Sequence, residues 1–405
     1  MAKILITGGH LTPALATIDY LQKFYPEVEI VFVGRQWARE GDRQLASEAS
    51  AMNERGVKFV PFVAQKTGSF NIFTYGQTVK QAELILQAHQ VTHVLTFGGY
   101  LGLPLALAGK HLGIPVVTHE QTRVLGRANR LISLLAQVTA LSFGQTQKPW
   151  WVRRTSVTGN PLREQLWDAQ VERPEWLPES NKPILYVAGG SQGSRTINEN
   201  FLPLLERLAP DFTIVHQVGR ASNRYRPQQE IGQYLLENHL IFPDYCVREF
   251  LSVEELAYLY PRIKLAVSRA GANTVAELTA FRIPTLYIPL PFANYQEQWK
   301  NAQALVEKDA AMMLEQKDLI PAELLAQIYA LEKNATHLRD NLQKIPHDQQ
   351  AAARLVDLVL TQKIIPKTKA PAAVPLVKNE AKVATASEEK TEAPPARGKS
   401  RIKTE

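Results

Sequence analysis

Short apolar segments alternate with segments of helical periodicity along most of this 405-residue chain, and no other feature restricts its fold as strongly. Segments such as KILI (3–6) and THVLTF (92–97) are apolar at nearly every position. Strands of a parallel sheet have this composition because helices cover both faces of the sheet. The alternation stops at 164–182 and then resumes. The sequence therefore predicts an α/β fold of two doubly wound, Rossmann-like parallel-sheet halves that face a cleft.

The interruption at 164–182 contains charged residues, two prolines and no strand-like run, so we predict an interdomain linker there. The corresponding domains are 1–163 and 183–345, followed by a closing helix at 346–362 that packs back toward the first half. Residues 363–405 are rich in Pro, Ala, Lys and Glu and lack aromatic residues, which is typical of a disordered tail. The predicted strands of the second half include ILYVAGG, FTIVHQVG and HLIFPDY.

The net charge of +7 lies mainly in the tail, where ten Lys and Arg residues face five Glu residues. The folded part is nearly balanced and contains neither zinc-finger spacing nor a basic helix with aromatic residues, so we expect no nucleic-acid partner. The chain has a single cysteine, Cys246, and no signal-peptide pattern, which indicates a cytoplasmic protein. Its longest apolar stretch, 131–143, is too short to span a membrane.

A glycine-rich turn follows the predicted strand at 184–188 in the sequence ILYVAGGSQGS. Glycine lets a backbone bend sharply and approach a ligand closely, and the free N–H groups of a following helix attract an anion. The spacing matches neither a Walker loop nor a G-x-G-x-x-G motif. The turn therefore indicates a nucleotide site, with a tight connection without a ligand as the alternative.

The segment SRAGANTVAEL (268–278) places small residues at a second strand-to-helix junction, where Gly271, Ala272, Asn273 and Thr274 can offer donors to a diphosphate. Glu277 lies one helical turn after Thr274, and its carboxylate suits two ribose hydroxyls. The pair also fits a capping box of the same helix.

In the first half, His10 ends the turn after the first strand, and a neutral imidazole there could accept a proton. The alternatives are binding a pyrophosphate or capping the helix. His119, Glu120 and Gln121 form a second polar cluster with Asn129, in which Glu120 could act as a base or orient one. The chain contains no D-x-D sequence, so neither a metal nor another cofactor is indicated.

Six segments in unbroken order resemble the MurG family of peptidoglycan glycosyltransferases over residues 1 to about 345; they are LITGGHLTPALA (5–16), FGGYLGLPLALAGKHLGIPVVTHEQ (97–121), VTGNPLRE (157–164), GGSQGSRTINE (189–199), SRAGANTVAEL (268–278) and PLPFANYQEQWKNAQALVEKDAA (289–311). The resemblance implies a GT-B fold and inverting transfer of N-acetylglucosamine from UDP-N-acetylglucosamine to lipid I, the undecaprenyl-pyrophosphoryl-muramoyl-pentapeptide. It also implies a peripheral position on the cytoplasmic face of an anionic membrane, for which the aromatic segments 70–76 and 148–154 are candidates.

The resemblance also implies roles for residues at matching positions. His10 and Glu120 are the catalytic candidates. The donor-site candidates are Arg163, Gly190, Ser191, Gln192, Phe250, Gly271, Ala272, Asn273, Thr274, Glu277, Gln298 and Asn301. The acceptor-site candidates are Gly8, Gly9, His10, Thr12, His119, Gln121, Thr122 and Asn129.

Two departures from the family pattern concern the acceptor. The first glycine loop is shorter, with only TGGH after ILI, and Thr122 stands where the family's HEQN motif has an amide. Arg123, Arg127 or Arg130 could compensate for the lost backbone donors. Two alternatives remain: another UDP-sugar enzyme, such as an epimerase or a transferase to a different lipid, and a nucleotide-sugar binding protein that has lost turnover.

Overall fold

The structure is a computed structural model that describes residues 1–36, 46–64, 72–190, 193–221, 225–345 and 349–363. Side chains at positions 47, 72–74 and 294 are not described within these ranges. Most of the predicted tail, and the donor candidates Ser191 and Gln192, lie outside the described residues.

The first half contains a seven-stranded parallel sheet in the order β3-β2-β1-β4-β5-β6-β7. The chain reverses its direction of winding between β1 and β4, and ligands of doubly wound sheets bind at such a switch point. The strands are β1 (Lys3–Gly8), β2 (Glu29–Gly34), β3 (Lys58–Pro61), β4 (His93–Phe97), β5 (Val116–Glu120), β6 (Val138–Leu141) and β7 (Thr155–Val157).

The helices of this half pack on both faces of the sheet, and β1, β4 and β5 are buried along nearly their whole length. Gly113 ends α4 in a left-handed conformation with a φ of 74°, the usual way for a glycine to terminate a helix. The helices are α1 (Leu11–Phe24), α2 (Ser47–Glu54), α3 (Ile72–Ala88), α4 (Gly102–Leu112) and α5 (Arg127–Ile132).

The second half contains a six-stranded parallel sheet in the order β10-β9-β8-β11-β12-β13, with its switch point between β8 and β11. The predicted strand HLIFPDY is wrong in its position, because β10 begins only after Pro243, which has no N–H for a sheet. The strands are β8 (Ile184–Ala188), β9 (Thr213–Gln217), β10 (Tyr245–Arg248), β11 (Ile263–Ser268), β12 (Thr285–Tyr287) and β13 (Met312–Met313).

The helices after β8 are α6 (Arg195–Phe201), α7 (Leu205–Leu208), α8 (Pro227–Glu237), α9 (Val253–Leu259), α10 (Ala272–Ala280), α11 (Glu297–Val306), α12 (Pro321–Gln343) and α13 (Ala351–Leu360). The last helix, α13, contributes Leu355, Val356 and Val359 to the core of the first half, where it packs on α1. The chain thus returns to the first sheet after completing the second.

The segment predicted as a linker is anchored to the second half. Leu166 and Leu177 are buried in the core beneath β8 and β11, and residues Glu164–Trp167 form a short 3-10 helix. The two sheets confirm the predicted fold class, while the exact domain boundaries stay a prediction. Among the described residues, no helix combines the length and the apolar character that crossing a bilayer requires.

Candidate active site

A cavity of about 220 Å³ opens at the carboxyl edge of the first sheet. Its walls come from the ends of β1, β4 and β5, from the start of α5 and from the loop before α11, so both halves contribute to it. The switch point between β1 and β4 therefore carries a cavity, as the topology leads one to expect. The lining residues are His10, Gly98, Gly99, Glu120, Thr122, Val124, Gly126, Arg127, Ala128, Asn129, Tyr295 and Glu297.

Glu120 ends β5 and is only 1% exposed. Its Oε1 accepts from the backbone N–H of Thr122 at 3.1 Å, and its Oε2 accepts from the N–H of Gly126 at 2.7 Å and from Nδ2 of Asn129 at 3.0 Å. These donors suit a charged carboxylate and occupy most of its lone pairs. Of the two roles predicted for Glu120, the arrangement favours orienting the site over accepting a proton.

His10 lies between β1 and α1 and lines the cavity. His10 occupies the N-cap position of α1, as the capping alternative predicts, but its side chain makes no capping hydrogen bond. Burial lowers the pKa of His10, and the nearby charge of Glu120 opposes this only in part. The imidazole is therefore neutral near neutral pH and has a lone pair for a proton, as a general base requires.

The shortened first loop packs directly against the loop after β4. The N–H of Gly9 donates to the carbonyl of Gly98 at 3.2 Å, and a Cβ on Gly9 would lie 2.8 Å from the Cα of Gly99. One backbone donor of the loop is thus used within the protein. Gly8 ends β1, and Thr12 is half-buried in the first turn of α1.

The polar cluster after β5 divides between the cavity and the core. His119 is 1% exposed, donates from Nε2 to the carbonyl of Gly159 at 3.0 Å and packs against the ring of Phe97. Burial lowers its pKa to about 4. His119 and the buried Gln121 are not among the residues that line this cavity, and their roles as acceptor contacts stay predictions.

Thr122 and Asn129 do line the cavity, but their polar groups are engaged. Asn129 accepts from the hydroxyl of Thr118 at 2.6 Å and donates to the carbonyl of His119 at 3.1 Å and to Glu120. The hydroxyl of Thr122 lies 2.6 Å from the carbonyl of Val124. Both side chains therefore hold the loop that carries Glu120.

Three residues form a contact across the cleft that we call the aromatic clasp: Arg127, Arg130 and Tyr295. Nε of Arg127 donates to the Tyr295 hydroxyl at 3.2 Å, and the Arg130 guanidinium lies 4.6 Å from the centre of the Tyr295 ring. A cation over an aromatic face is attracted to it. The third arginine proposed from the sequence, Arg123, lies over the ring of Phe143 instead.

Glu297 begins α11 directly after the clasp and brings a second carboxyl group to the cavity. Tyr295 and Gln296, just before it, have φ values of 54° and 56° in the left-handed region, which non-glycine residues seldom adopt. Burial, and then the charge of Glu120, raise the pKa of Glu297 to about 7. Strained backbone next to an ionisable group is a common feature of functional sites.

At the carboxyl edge of the second sheet, two of the described glycines of the glycine-rich turn have positive φ values. Gly190 and Gly193 have φ values of 84° and 75°, and a Cβ on Gly193 would lie 2.2 Å from the carbonyl of Val218. The turn leads to Ser194, the N-cap of α6, whose hydroxyl accepts from the N–H of Ile197. Only glycine fits this path, so the turn is a steric requirement of the fold as well as a candidate anion site.

The second small-residue turn leads into α10, whose N-cap is Gly271. Ala272 begins the helix and Thr274 lies inside its first turn, so the predicted Thr274–Glu277 capping box is wrong. Asn273 accepts from Nδ2 of Asn160 at 3.3 Å, which ties this turn to the segment before Arg163.

Glu277 is 5% exposed and lies inside the second half rather than in open solvent. Its Oε1 accepts from Nη2 of Arg163 at 2.9 Å and its Oε2 accepts from the hydroxyl of Tyr260 at 2.8 Å. The structure thus brings together two of the predicted donor residues, Arg163 and Glu277, as an ion pair.

The remaining donor candidates also lie near this edge. Asn301 donates to the carbonyl of Ala270 at 3.1 Å, and its buried Oδ1 has no partner within the described part of the chain. Oε1 of Gln298 accepts from the N–H of Leu290 at 3.0 Å. Phe250 is 43% exposed beside the guanidinium of Arg220.

Sequence reasoning missed seven residues of the cavity wall: Gly98, Gly99, Val124, Gly126, Ala128, Tyr295 and Glu297. The paired glycines after an apolar run were a usable signal, because they repeat the pattern of the other turns. Tyr295 and Glu297 had no such signal, since their place depends on a left-handed backbone that their residue types do not predict.

The segment 148–154 presents two aromatic rings to solvent. Trp150 is 78% exposed and Trp151 is 44% exposed, and Arg153 and Arg154 beside them are exposed as well. Aromatic rings next to cations are typical of membrane-interface surfaces. The first two residues of the other predicted segment, 70–76, lie outside the described residues.

Comparisons with known proteins agree with this architecture. The glycosyltransferase family 28 N-terminal domain matches residues 7–140, and the glycosyltransferase family 28 C-terminal domain matches residues 184–359. A solved structure of MurG from Acinetobacter baumannii is 25% identical, with a TM-score of 0.68, and the match covers 89% of this chain and 100% of that one. The UDP-GlcNAc 2-epimerase from Neisseria meningitidis, at 15% identity and a TM-score of 0.58, shares the fold over 89% of this chain and 100% of its own.

A curated relative from Limosilactobacillus fermentum is 30% identical over 340 residues, which are 81% of this chain and 88% of that protein. It is named UDP-N-acetylglucosamine--N-acetylmuramyl-(pentapeptide) pyrophosphoryl-undecaprenol N-acetylglucosamine transferase. The match spans both halves and therefore both edges of the cleft. This chain belongs to the MurG family of UDP-N-acetylglucosamine-dependent glycosyltransferases.

Proposed function

We propose that the protein transfers N-acetylglucosamine from UDP-N-acetylglucosamine to the 4-hydroxyl of the muramoyl sugar of lipid I, forming lipid II. The observation that carries the proposal is the cavity in which His10 and Glu120 of the first half meet Glu297 of the second. A proton acceptor on one side of a cleft and an anion-binding edge on the other suit group transfer, because closure excludes water from the reaction.

In the proposed reaction, the acceptor oxygen forms a bond to the anomeric carbon while the bond from that carbon to the UDP oxygen breaks. The electron pair of the broken bond leaves with UDP, and the imidazole of His10 takes the proton of the hydroxyl. Attack from the face opposite to UDP inverts the anomeric centre. Glu120 stabilises the imidazolium that forms, because it is a fixed carboxylate at the same cavity.

The donor occupies the edge built by residues 183–345. The two small-residue turns, which include Gly190 and Gly271, receive the diphosphate, and Glu277 binds the ribose hydroxyls. Because Arg163 now holds Oε1 of Glu277, donor binding exchanges this contact: Arg163 turns to the phosphates and Glu277 to the ribose. Gln298 and Asn301 bind the hydroxyls of the hexosamine, and Phe250 borders the uracil.

The acceptor occupies the edge built by residues 1–163. Gly8, Gly9 and Thr12 face its pyrophosphate, and Arg127 supplies the charge that the shortened loop lacks, since it is the one arginine among Arg123, Arg127 and Arg130 on the described cavity wall. The lipid tail remains in the membrane. Residues 148–154 bring the protein to the anionic cytoplasmic face through exposed tryptophans and arginines.

The test is UDP release from UDP-N-acetylglucosamine by the purified full chain, with and without a short-chain lipid I analogue. We expect release only with the acceptor. His10→Ala should abolish it, whereas His111→Ala, which changes an exposed histidine paired with Glu83, should not. Epimer formation without acceptor would identify an epimerase instead, and donor binding without release would identify a binding protein.

A further inference from the structure

Arg269 is a buried cation that none of the roles above uses. It is 6% exposed and follows β11, two residues before the N-cap of α10. Its backbone N–H donates to the carbonyl of Ala188 at 3.2 Å, at the end of β8. Arg269 therefore lies at the switch point of the second sheet, between the two small-residue turns.

The guanidinium is held entirely by neutral acceptors. Nη1 donates to the carbonyls of Ile288 at 3.0 Å and Pro289 at 3.2 Å, and Nη2 donates to the hydroxyl of Ser194 at 2.7 Å and to Oε1 of Gln316 at 2.6 Å. No carboxylate of the described residues forms an ion pair with it. Both Nη groups have hydrogen-bond acceptors, but the charge of the guanidinium is not neutralised.

Such an arrangement is unusual, because a buried arginine is almost always paired with an acid. Arg163, a partly buried arginine of this edge, has its counter-ion in Glu277. Burial lowers the pKa of Arg269 to about 10, so it keeps its proton near neutral pH. The fold thus maintains an uncompensated positive charge beneath the two turns.

The contact with Ser194 connects this charge to the backbone that would meet an anion. Ser194 ends the glycine-rich turn and caps α6, so its hydroxyl accepts from Arg269 while it also receives the N–H of Ile197. Through Ile288 and Pro289 the same guanidinium holds the loop after β12. Its bond to Gln316 adds the segment after β13, so a single side chain holds parts of three loops at the edge.

We infer that Arg269 is a positioning residue for the donor diphosphate: it holds the glycine-rich turn through Ser194 and supplies a charge whose counter-ion is the bound diphosphate. The inference rests on the proposed donor site. Because the charge lies under the turns, it acts on the phosphates through its field and through the shape of the turn rather than by direct contact. Arg269 does not affect the binding of the ribose or the uracil.

The experiment compares the dissociation constants of UDP and uridine by calorimetry on the purified full chain. We expect Arg269→Gln to weaken UDP by about tenfold, which corresponds to about 1.4 kcal/mol, and uridine by less than about twofold. A purely structural role would weaken both ligands alike. Arg55→Gln is the matched control, because Arg55 is a partly buried arginine paired with Asp19 in the first half; it should lower Tm and leave both constants unchanged.

A second variant covers the case in which Arg269→Gln does not fold. Gln316→Glu keeps the arginine and its hydrogen bond but places a carboxylate 2.6 Å from Nη2. We expect it to raise Tm and to weaken UDP about tenfold relative to uridine, since it supplies the missing counter-ion.

An unchanged UDP-to-uridine ratio in Gln316→Glu, with Arg269→Gln also unchanged or unfolded, would overturn the inference and leave the donor site standing. Wild-type protein that binds neither UDP nor UDP-N-acetylglucosamine would instead contradict the proposed function, and the inference with it.

Discussion

Glu120 and Arg269 occupy related places in the two halves, and their surroundings are opposite. Each is buried at the carboxyl edge of a parallel sheet, but Glu120 is surrounded by N–H donors and Arg269 by carbonyl, hydroxyl and amide oxygens. The carboxyl edge of the first sheet therefore carries a fixed negative charge beside the imidazole of His10. The carboxyl edge of the second sheet carries a fixed positive charge beside two glycine-containing turns. One architecture thus forms a proton-accepting edge and an anion-binding edge, depending on the ion buried in it.

The largest expected effect concerns the proton-accepting edge. His10→Ala should lower kcat by about 10²–10⁴-fold, the usual contribution of a general base. The dissociation constant of UDP should stay unchanged, because the donor edge is intact. Steady-state kinetics with a lipid I analogue and calorimetry with UDP measure the two quantities. A kcat within about threefold of the wild type would remove His10 as the base.

The next effect concerns the ribose end of the anion-binding edge. Glu277→Gln should weaken UDP and uridine together, by roughly 10- to 100-fold, because both ligands contain the ribose whose hydroxyls the carboxylate is proposed to bind. This outcome would contrast with Arg269→Gln, which should discriminate between the two ligands.

The matched control for Glu277→Gln is Glu48→Gln, which breaks the ion pair of another buried carboxylate with Arg35 in the first half. It should lower Tm without changing the affinity for uridine, as calorimetry would show. Uridine affinity of wild-type strength in Glu277→Gln would exclude the ribose role.

A smaller effect tests how the first edge is built. Gly9→Ala should destabilise the fold by about 1–3 kcal/mol, because its Cβ would lie 2.8 Å from the backbone of Gly99. Gly232→Ala in α8 has open space around its Cβ and should stabilise the fold by about 0.5–1 kcal/mol. Urea unfolding of both variants measures the difference. Equal stabilities would show that the two loops can separate freely.

The smallest effect concerns the carboxyl group that the second half adds to the first edge. Burial and the charge of Glu120 raise the folded-state pKa of Glu297 to about 7, above its ordinary value of 4.5, while His10, Arg127 and Tyr295 also face the cavity. A carboxyl group whose pKa is higher in the folded than in the unfolded state destabilises the fold as the pH rises from the unfolded-state pKa to the folded-state pKa. In that range the group ionises freely only in the unfolded state.

Glu297→Gln removes the ionisable group and with it this pH-dependent loss of folding stability. The variant should therefore gain on the order of 1 kcal/mol relative to the wild type between about pH 5 and about pH 8. Urea unfolding of both proteins at the two pH values measures the gain. A difference that does not change with pH would place Glu297 in contact with solvent and outside the shared cavity.

Local patterns were sufficient for the architecture and for much of the donor edge. Apolar runs located most strands because a strand covered by helices must be apolar on both faces. Glycines located the turn after β8 because a side chain on Gly189 or Gly193 would collide with backbone, and Gly190 has a positive φ. The strand near 239–245 was misplaced because the apolar residues before Pro243 matched the strand pattern, whereas β10 begins only at Tyr245.

The sequence by itself determined two parallel sheets, their glycine turns and the residue types at the cleft edges, since these follow from periodicity and local sterics. Only the tertiary structure decided that His119 belongs to the core, that Asn129 holds Glu120, and that Glu297 reaches the cavity of the other half. It also decided that Arg163 is neutralised while Arg269 is not. The reason is that burial and charge pairing depend on neighbours far apart along the chain, which no local pattern specifies.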